Sequence, residues 1–268
     1  MKQSKNTIKF LGTAGARFVV MQQLRYSGGI WLSLDGTNIL IDPGPGALLR
    51  CLASKPKLDP QTLDGIILTH RHLDHSNDVN IMIEAMTNGG IQKKGIVFAP
   101  QDALEGDPVI LRYIYKYIER LETLKEKGTY QIGTVRFSTP IRHLHGVETY
   151  GLNINGNHPS ISLIADTHYF KGLENYYPGD ILIINVVRME EKTGIDHLCI
   201  HDVETILTHH HPKLCILTHF GMTILKAKPG EIVKSLSEKT GVPILAAQDG
   251  MILDLDTLFS YKKNKVLF

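Results

Sequence analysis

The chain has 268 residues, 43% of them hydrophobic, and its 29 Lys plus Arg against 27 Asp plus Glu leave a formal charge of +2. That length suits one large α/β domain or two small ones, and the hydrophobic share is ordinary for a globular protein. The balanced charge excludes a global footprint for nucleic acid, though a local basic groove stays open, and no apolar run reaches the about 18 residues that would cross a membrane.

Residues 1–7 are polar, and the apolar stretch after them is broken by Gly12 and Gly15, so no secretion signal is expected. Cys51, Cys199 and Cys215 are far apart and form no CxxC pair, which points to a reducing cytoplasm. Residues 8–11 read as a short strand ending at Gly12-Thr13-Ala14-Gly15, a loop that lacks the lysine and length of a phosphate-binding P-loop. Asp35-Gly36 between two apolar runs, 29–34 and 38–41, predicts a hairpin, and Asp42-Pro43-Gly44-Pro45-Gly46 then turns the chain. Apolar runs at 65–68, 96–99, 161–165, 181–187 and 214–217 read as buried strands of sheets covered on both faces. Between them lie helical patterns: 78–87, stopped by Gly89-Gly90; a long helix capped by Asp107 with Leu111, Ile114, Ile118, Leu121 and Leu124 on its apolar face; one capped by Asp202; and 231–239, ended by Gly241. Alternating strands and helices give an α/β class for a single domain, 1–268.

The most informative segment is Ile66-Ile67-Leu68-Thr69-His70-Arg71-His72-Leu73-Asp74-His75. Three histidines and an aspartate follow a buried strand, at the edge where α/β sheets place their sites. A lone histidine reads best as a solvated surface residue; four ligand-type side chains this close behind an apolar strand read as a metal site for zinc, with manganese or iron as alternatives. Two later strands repeat the design, one running into Asp166 and one into His219, and His145 is a fourth candidate. Taken alone, Asp166 reads equally as a turn residue. Together these groups are too many for one tetrahedral ion, and two ions bridged by a carboxylate would use them all.

At this point the residues resemble a family. Thr69 to His75 is similar to the HxHxDH signature of the metallo-β-lactamase superfamily, and the match runs in order along nearly the whole chain. Asp42 resembles the early aspartate that supports the site from behind the ligands. His145, followed by Thr149-Tyr150-Gly151, resembles the third ligand histidine of the ribonuclease Z and phosphodiesterase branch, Asp166 the bridging aspartate, and His219 the last ligand. The resemblance implies a four-layer αββα sandwich of two mixed β-sheets flanked by helices. It implies His70, His72 and His145 on one ion, Asp74, His75 and His219 on a second, and Asp166 between them. His197 resembles the histidine used as an acid in ribonuclease Z-like members, and stands level with a reading as a surface residue near a helix start. Many members have a glycine soon after the signature; here Ser76-Asn77-Asp78 follows, and Asp78 reads as a helix-start residue ahead of one facing the site.

Two such ions, about 3.5–4 Å apart, can supply hydroxide near neutral pH and stabilise charge on a phosphoryl or carbonyl oxygen. The expected function is therefore metal-dependent hydrolysis with Asp74 and His197 as the catalytic side chains, on a small phosphodiester ahead of tRNA, since no basic bias or inserted arm is present. The alternatives are an acyl-bond hydrolase acting on a lactone or thioester, and an iron-containing non-hydrolytic protein of the same fold. No membrane partner is expected, and a homo-oligomer stays open. His143, His168 and His201 are weaker candidates than His197, the triplet His209-His210-His211 reads as a solvated helix end, and Arg17, Arg25 and Tyr26 read as salt-linked or solvated side chains ahead of substrate contacts.

Overall fold

A computed structural model describes residues 5–263; the polar residues 1–4 lie outside the described residues. In chain order the strands are β1 (Thr7–Phe10), β2 (Ile30–Leu34), β3 (Thr37–Ile41), β4 (Gly65–Ile67), β5 (Ile96–Ala99), β6 (Arg120–Thr123), β7 (Gly128–Ile132), β8 (Val135–Thr139), β9 (Leu152–Asn155), β10 (Ile161–Ile164), β11 (Ile181–Asn185), β12 (Leu214–Thr218), β13 (Ile244–Ala246) and β14 (Ile252–Asp254). They form two seven-stranded mixed sheets, ordered β14-β1-β2-β3-β4-β5-β6 and β13-β12-β11-β10-β9-β8-β7. The first half of the chain builds one sheet, the second half builds the other, and β14 returns to close the first against β1.

Three apolar layers hold this together. Ile30, Leu32, Ile39, Ile41, Ile67 and Phe98 of the first sheet face Phe137, Leu152, Ile161, Leu163, Ile183 and Ile216 of the second. The alternate residues Trp31, Leu40, Ile66 and Val97 face outward into one helix layer, and Leu182, Ile184, Cys215 and Leu217 into the other. Side chains alternate between faces along a strand, so a strand buried on both faces must be apolar throughout, which is why these runs are unbroken in the sequence. The result is the expected αββα sandwich.

The Asp35-Gly36 hairpin forms, pairing Leu34 with Thr37 and placing both turn residues at positive φ, 49° and 82°. The helices Val79–Met86 and Pro229–Thr240 lie where the periodicity puts them.

The long helix expected after Asp107 does not form. The chain makes a short 3-10 turn at Arg112–Tyr117, then turns extended at Ile118 and becomes β6, parallel to β5. Ile110, Ile114 and Ile118 still fill the outer core, so the apolar spacing was real. Tyr and Ile dominate this stretch and are modest helix formers. Backbone bonds from Glu119 N to Gly95 O and from Leu124 N to Ala99 O pair the otherwise open edge of β5.

The cap of the helix Ile200–His209 also differs by three residues: Cys199 is the N-cap, and Asp202 sits inside the first turn with its carboxylate accepting from Cys199 N at 2.8 Å. Strands β7, β8 and β9 were not read from the sequence. Their signal was alternation, with Val135, Phe137, Leu152 and Ile154 buried between polar neighbours that face the outside. No helix among the described residues is long and apolar enough to cross a membrane.

Candidate metal centre

The site forms where strand ends of both sheets meet. Strand β3 runs into Asp42 and β12 into His219, and both residues take up left-handed backbone conformations, φ 52° and 60°. Such a conformation costs a non-glycine residue about 1–2 kcal/mol and turns each side chain out of its strand register. Beyond β4 the chain passes Thr69 and His70, and the short helix Leu73–Ser76, begun by His72, presents Asp74 and His75 together. Strand β10 delivers Asp166, and β11 delivers Asn185. The loop between β8 and β9 carries His145 and is tied to the first sheet by Tyr150 N donating to Thr69 O at 3.1 Å.

All seven residues singled out as ligands come together, in overlapping trios: His70 with His72 and His145; His70 with His75 and Asp166; Asp74 with His75 and His219; and His145 with Asp166 and His197. Within them, His75 Nε2 and His219 Nε2 are 2.9 Å apart, and His145 Nε2 and His72 Nδ1 3.1 Å. His219 Nε2 is 3.2 Å from Asp74 Oδ2, and Asp166 Oδ2 is 3.5 Å from both His75 Nε2 and His197 Nδ1. Two ligands at zinc distances and tetrahedral angles stand about 3.3–3.5 Å apart; the two 3.5 Å spacings match that separation, and the three shorter ones bring donor atoms within a few tenths of an ångström of it.

Hydrogen bonds on the far side of the rings fix which nitrogen faces inward. The Asp42 carboxylate accepts from Thr69 N and Thr69 Oγ1, both at 2.7 Å, and from His75 Nδ1 at 2.9 Å. Because the Thr69 hydroxyl donates to Asp42, it accepts from His70 Nδ1 at 3.1 Å. His145 Nδ1 donates to Asp196 O at 2.9 Å. His70, His75 and His145 are therefore held in the tautomer with a lone pair on Nε2, as a metal ligand requires. His70 Nε2 and His219 Nδ1 are buried with no hydrogen-bond partner among the described residues, and buried polar atoms of this kind call for a ligand.

The electrostatics point the same way. Burial would push the His75 ring down, but the carboxylates of Asp74, Asp166 and Asp42 hold it well above the ordinary histidine value. Burial would likewise raise Asp74 and Asp166, yet the histidines around them keep both well below the carboxylate range. The cluster thus favours positive charge at its centre, which a divalent cation meets as well as a proton does. His70 is pushed well down, first by burial and then by His75, which leaves it a neutral ligand.

His197 joins the site, with its side chain 17% exposed beside Asp166; burial pushes it down to about 4. His143 does not face the cluster. It is buried behind Asp166, donating from Nδ1 to Asp166 O at 3.2 Å and accepting at Nε2 from the Tyr177 hydroxyl at 2.5 Å, and burial pushes it down to about 4. His168 stands near the exposed Glu191, and His209 bonds back to Thr205 O at its helix end. Asp78 faces helix backbone, accepting from Leu48 N at 3.3 Å.

Sequence reading passed over Asn185, whose Nδ2 donates to Asp166 Oδ1 at 2.8 Å and fixes that carboxylate. Its signal was a polar residue interrupting the apolar run 181–187. Beside His145 a cavity of about 480 Å³ opens, lined also by Leu144, His168, Glu191 and Asp196.

Two facing mixed sheets with a histidine and aspartate cluster at their shared edge define a metallo-β-lactamase-fold hydrolase, a fold that implies divalent metal ions. Residues 37–220 match the family model described as a beta-lactamase superfamily domain, and the chain belongs to that superfamily. It is 26% identical over 259 residues to the protein MJ1374 of Methanocaldococcus jannaschii, covering 92% of this chain and 94% of that one. A ribonuclease Z from Kineococcus radiotolerans is 32% identical over 105 residues, which is 38% of this chain and 31% of that enzyme. Among solved structures, the metallo-beta-lactamase fold protein YhfI from Bacillus subtilis superposes with a TM-score of 0.74 at 16% identity, over 93% of this chain and 99% of that one. Zn(2+)-bound PqqB from Methylobacterium extorquens gives 0.71 at 17%, over 93% and 100%.

Proposed function

We propose that this protein is a dinuclear metal-dependent hydrolase whose substrates are phosphodiesters. The observation that carries the reading is the pair of ligand trios, His70, His72, His145 and Asp74, His75, His219, with Asp166 set between them. These residues would hold two ions, zinc by the histidine and carboxylate donor set and by the likeness to Zn(2+)-bound PqqB. When bound, such a pair supplies Lewis acidity toward a phosphoryl oxygen and a water acidified to near neutrality.

The chain's own residues do the rest. Asp42 and Asn185 hold His75 and Asp166 in place. Asp74, kept ionised by the histidines beside it, would hold its ion and orient the attacking water by accepting a hydrogen bond from it. His197 has its ring neutral at rest, and an arriving phosphodiester anion raises its proton affinity, so it is the group to hand a proton to the leaving oxygen. The cavity beside His145 takes the leaving side of the substrate. The ribonuclease Z relative supports phosphodiesters over acyl bonds.

The test is to purify the protein, measure its bound metals, and assay bis(p-nitrophenyl) phosphate, p-nitrophenyl phosphate, a lactone and a thioester in parallel. Diester hydrolysis that disappears in the Asp74→Ala/His75→Ala variant is expected. Turnover of the lactone or thioester without the diester overturns the substrate class, and iron with oxygen uptake and no hydrolysis overturns the reaction.

A further inference from the structure

A second cavity, of about 300 Å³, lies on the outer face of the first sheet and shares no lining residue with the metal centre. Its wall includes Lys9, Tyr26, Arg50, Ser54, Lys55 and Asp249. Strand β1 sends Ile8 and Phe10 into the inter-sheet core, so Lys9 points outward, at the kind of position that Trp31 and Leu40 occupy on neighbouring strands. Lys9 is only 3% exposed. An enclosed ammonium is costly unless its donors are met, yet among the described residues Lys9 has one hydrogen-bond acceptor, Lys55 O at 3.2 Å.

Arg50, on the helix Ala47–Ala53, lies with its guanidinium carbon 3.2 Å from the centroid of the Tyr26 ring. This contact orients the guanidinium plane and keeps it weakly hydrated. Among the described residues no carboxylate pairs with Arg50, Lys9 or Lys55. The one acid in the wall, Asp249, is engaged elsewhere: its two oxygens accept from Thr13 Oγ1 at 2.7 Å and from Tyr26 N at 2.9 Å. Three cations and one carboxylate therefore border the cavity, and none of the three cations is paired with that carboxylate.

We propose that this cavity binds a small phosphate monoester. A dianionic phosphoryl group offers the charge that three cations and one carboxylate leave unbalanced and the acceptors the cations lack, and the guanidinium fork matches its oxygens. A monoester of modest size also fits a volume at the lower end of ligand pockets, about 300 Å³. The assignment does not rest on the activity proposed above.

The experiment is titration calorimetry of the purified protein with phenyl phosphate, repeated with inorganic phosphate, in wild type and in the variants Arg50→Met, Lys9→Met and His145→Ala. Phenyl phosphate is expected to bind wild type and His145→Ala alike, and to bind Arg50→Met about tenfold or more weakly, the worth of one charge-assisted hydrogen bond. Lys9→Met behaves like Arg50→Met where its circular dichroism shows it folded. Arg50, half-buried on the surface of its helix, gives the decisive variant if Lys9→Met does not fold. Binding that survives in Arg50→Met, or that is lost in His145→Ala, places the anion at the metal centre and overturns the proposal, as does the absence of binding to wild type. Inorganic phosphate binding as tightly as phenyl phosphate overturns the monoester assignment.

Discussion

Replacing Asp42 by Asn tests how the metal centre is held, because it removes one charge and almost no volume. Asn tolerates the left-handed conformation that Asp42 adopts, φ 52°, so the backbone is expected to stay. The carboxylate accepts three hydrogen bonds, two from Thr69 and one from His75 Nδ1, whereas an amide has one oxygen. If the oxygen stays on Thr69 N, the amide NH₂ faces His75, which must then accept at Nδ1 and carry its proton on Nε2, where no ion can bind. If the amide flips, two donors meet at Thr69 N. Either outcome loses at least one hydrogen bond to a charged group, worth about 1.5–3 kcal/mol, or a fall in Tm of about 3–12 °C for a chain of this size. Losing the inward lone pair is expected to weaken metal binding about 10–100-fold. Competition with a chromophoric chelator measures the affinity, and calorimetry of the metal-stripped protein measures the stability. A variant with lowered Tm but wild-type affinity at both ions would refute the tautomer argument and leave Asp42 a purely structural residue.

Other perturbations probe the same framework. Gly15→Ala would place a methyl 2.1 Å from His219 O and 2.5 Å from its Nδ1; it is expected to lower metal affinity about tenfold while removing no ligand, and metal content equal to wild type after gel filtration would count against the close approach. His75 is raised by three carboxylates and must shed its proton to bind an ion, so apparent metal affinity rises with pH and binding releases protons; titrations in buffers of different ionisation enthalpy read that release, and a proton count of zero at pH 6 contradicts it. All three cysteines are buried, with Cys51 pushed up to about 12 and Cys215 pushed further by burial. Ellman's reagent should find no fast thiol in the native protein and all of them in guanidinium; a thiol that reacts at once in the native state would place one of these residues at the surface.

Much of this was legible because the sequence states it locally. The segment from His70 to His75 holds four ligands in six residues, and the doubly buried strands print as unbroken apolar runs that end at Asp166 and His219. What was hidden depends on partners distant in sequence. Asn185 lies unmarked inside the apolar run 181–187, and its role shows only with Asp166 beside it. The stretch 107–124 carries helical spacing, and only the open edge of β5, with its unpaired backbone groups, turns part of it into a strand. His197 could be placed at the site by resemblance, but its neutral state comes from burial by loops that the sequence does not describe.

The centre is also a joint. His72 and His145 stand 73 residues apart, His75 and His219 stand 144 apart, and each pair joins opposite sheets across their common edge. An ion held there closes loops of that length, and in the chain-entropy picture a cross-link of such span is worth about 4–5 kcal/mol against unfolding. The two halves of the sequence, each of which builds its own sheet, are then fastened by a reversible staple. A disulfide in this position would answer to redox potential; a metal fastening would answer to the free concentration of the ion, so that metal supply would set the stability of the fold as well as the occupancy of the centre.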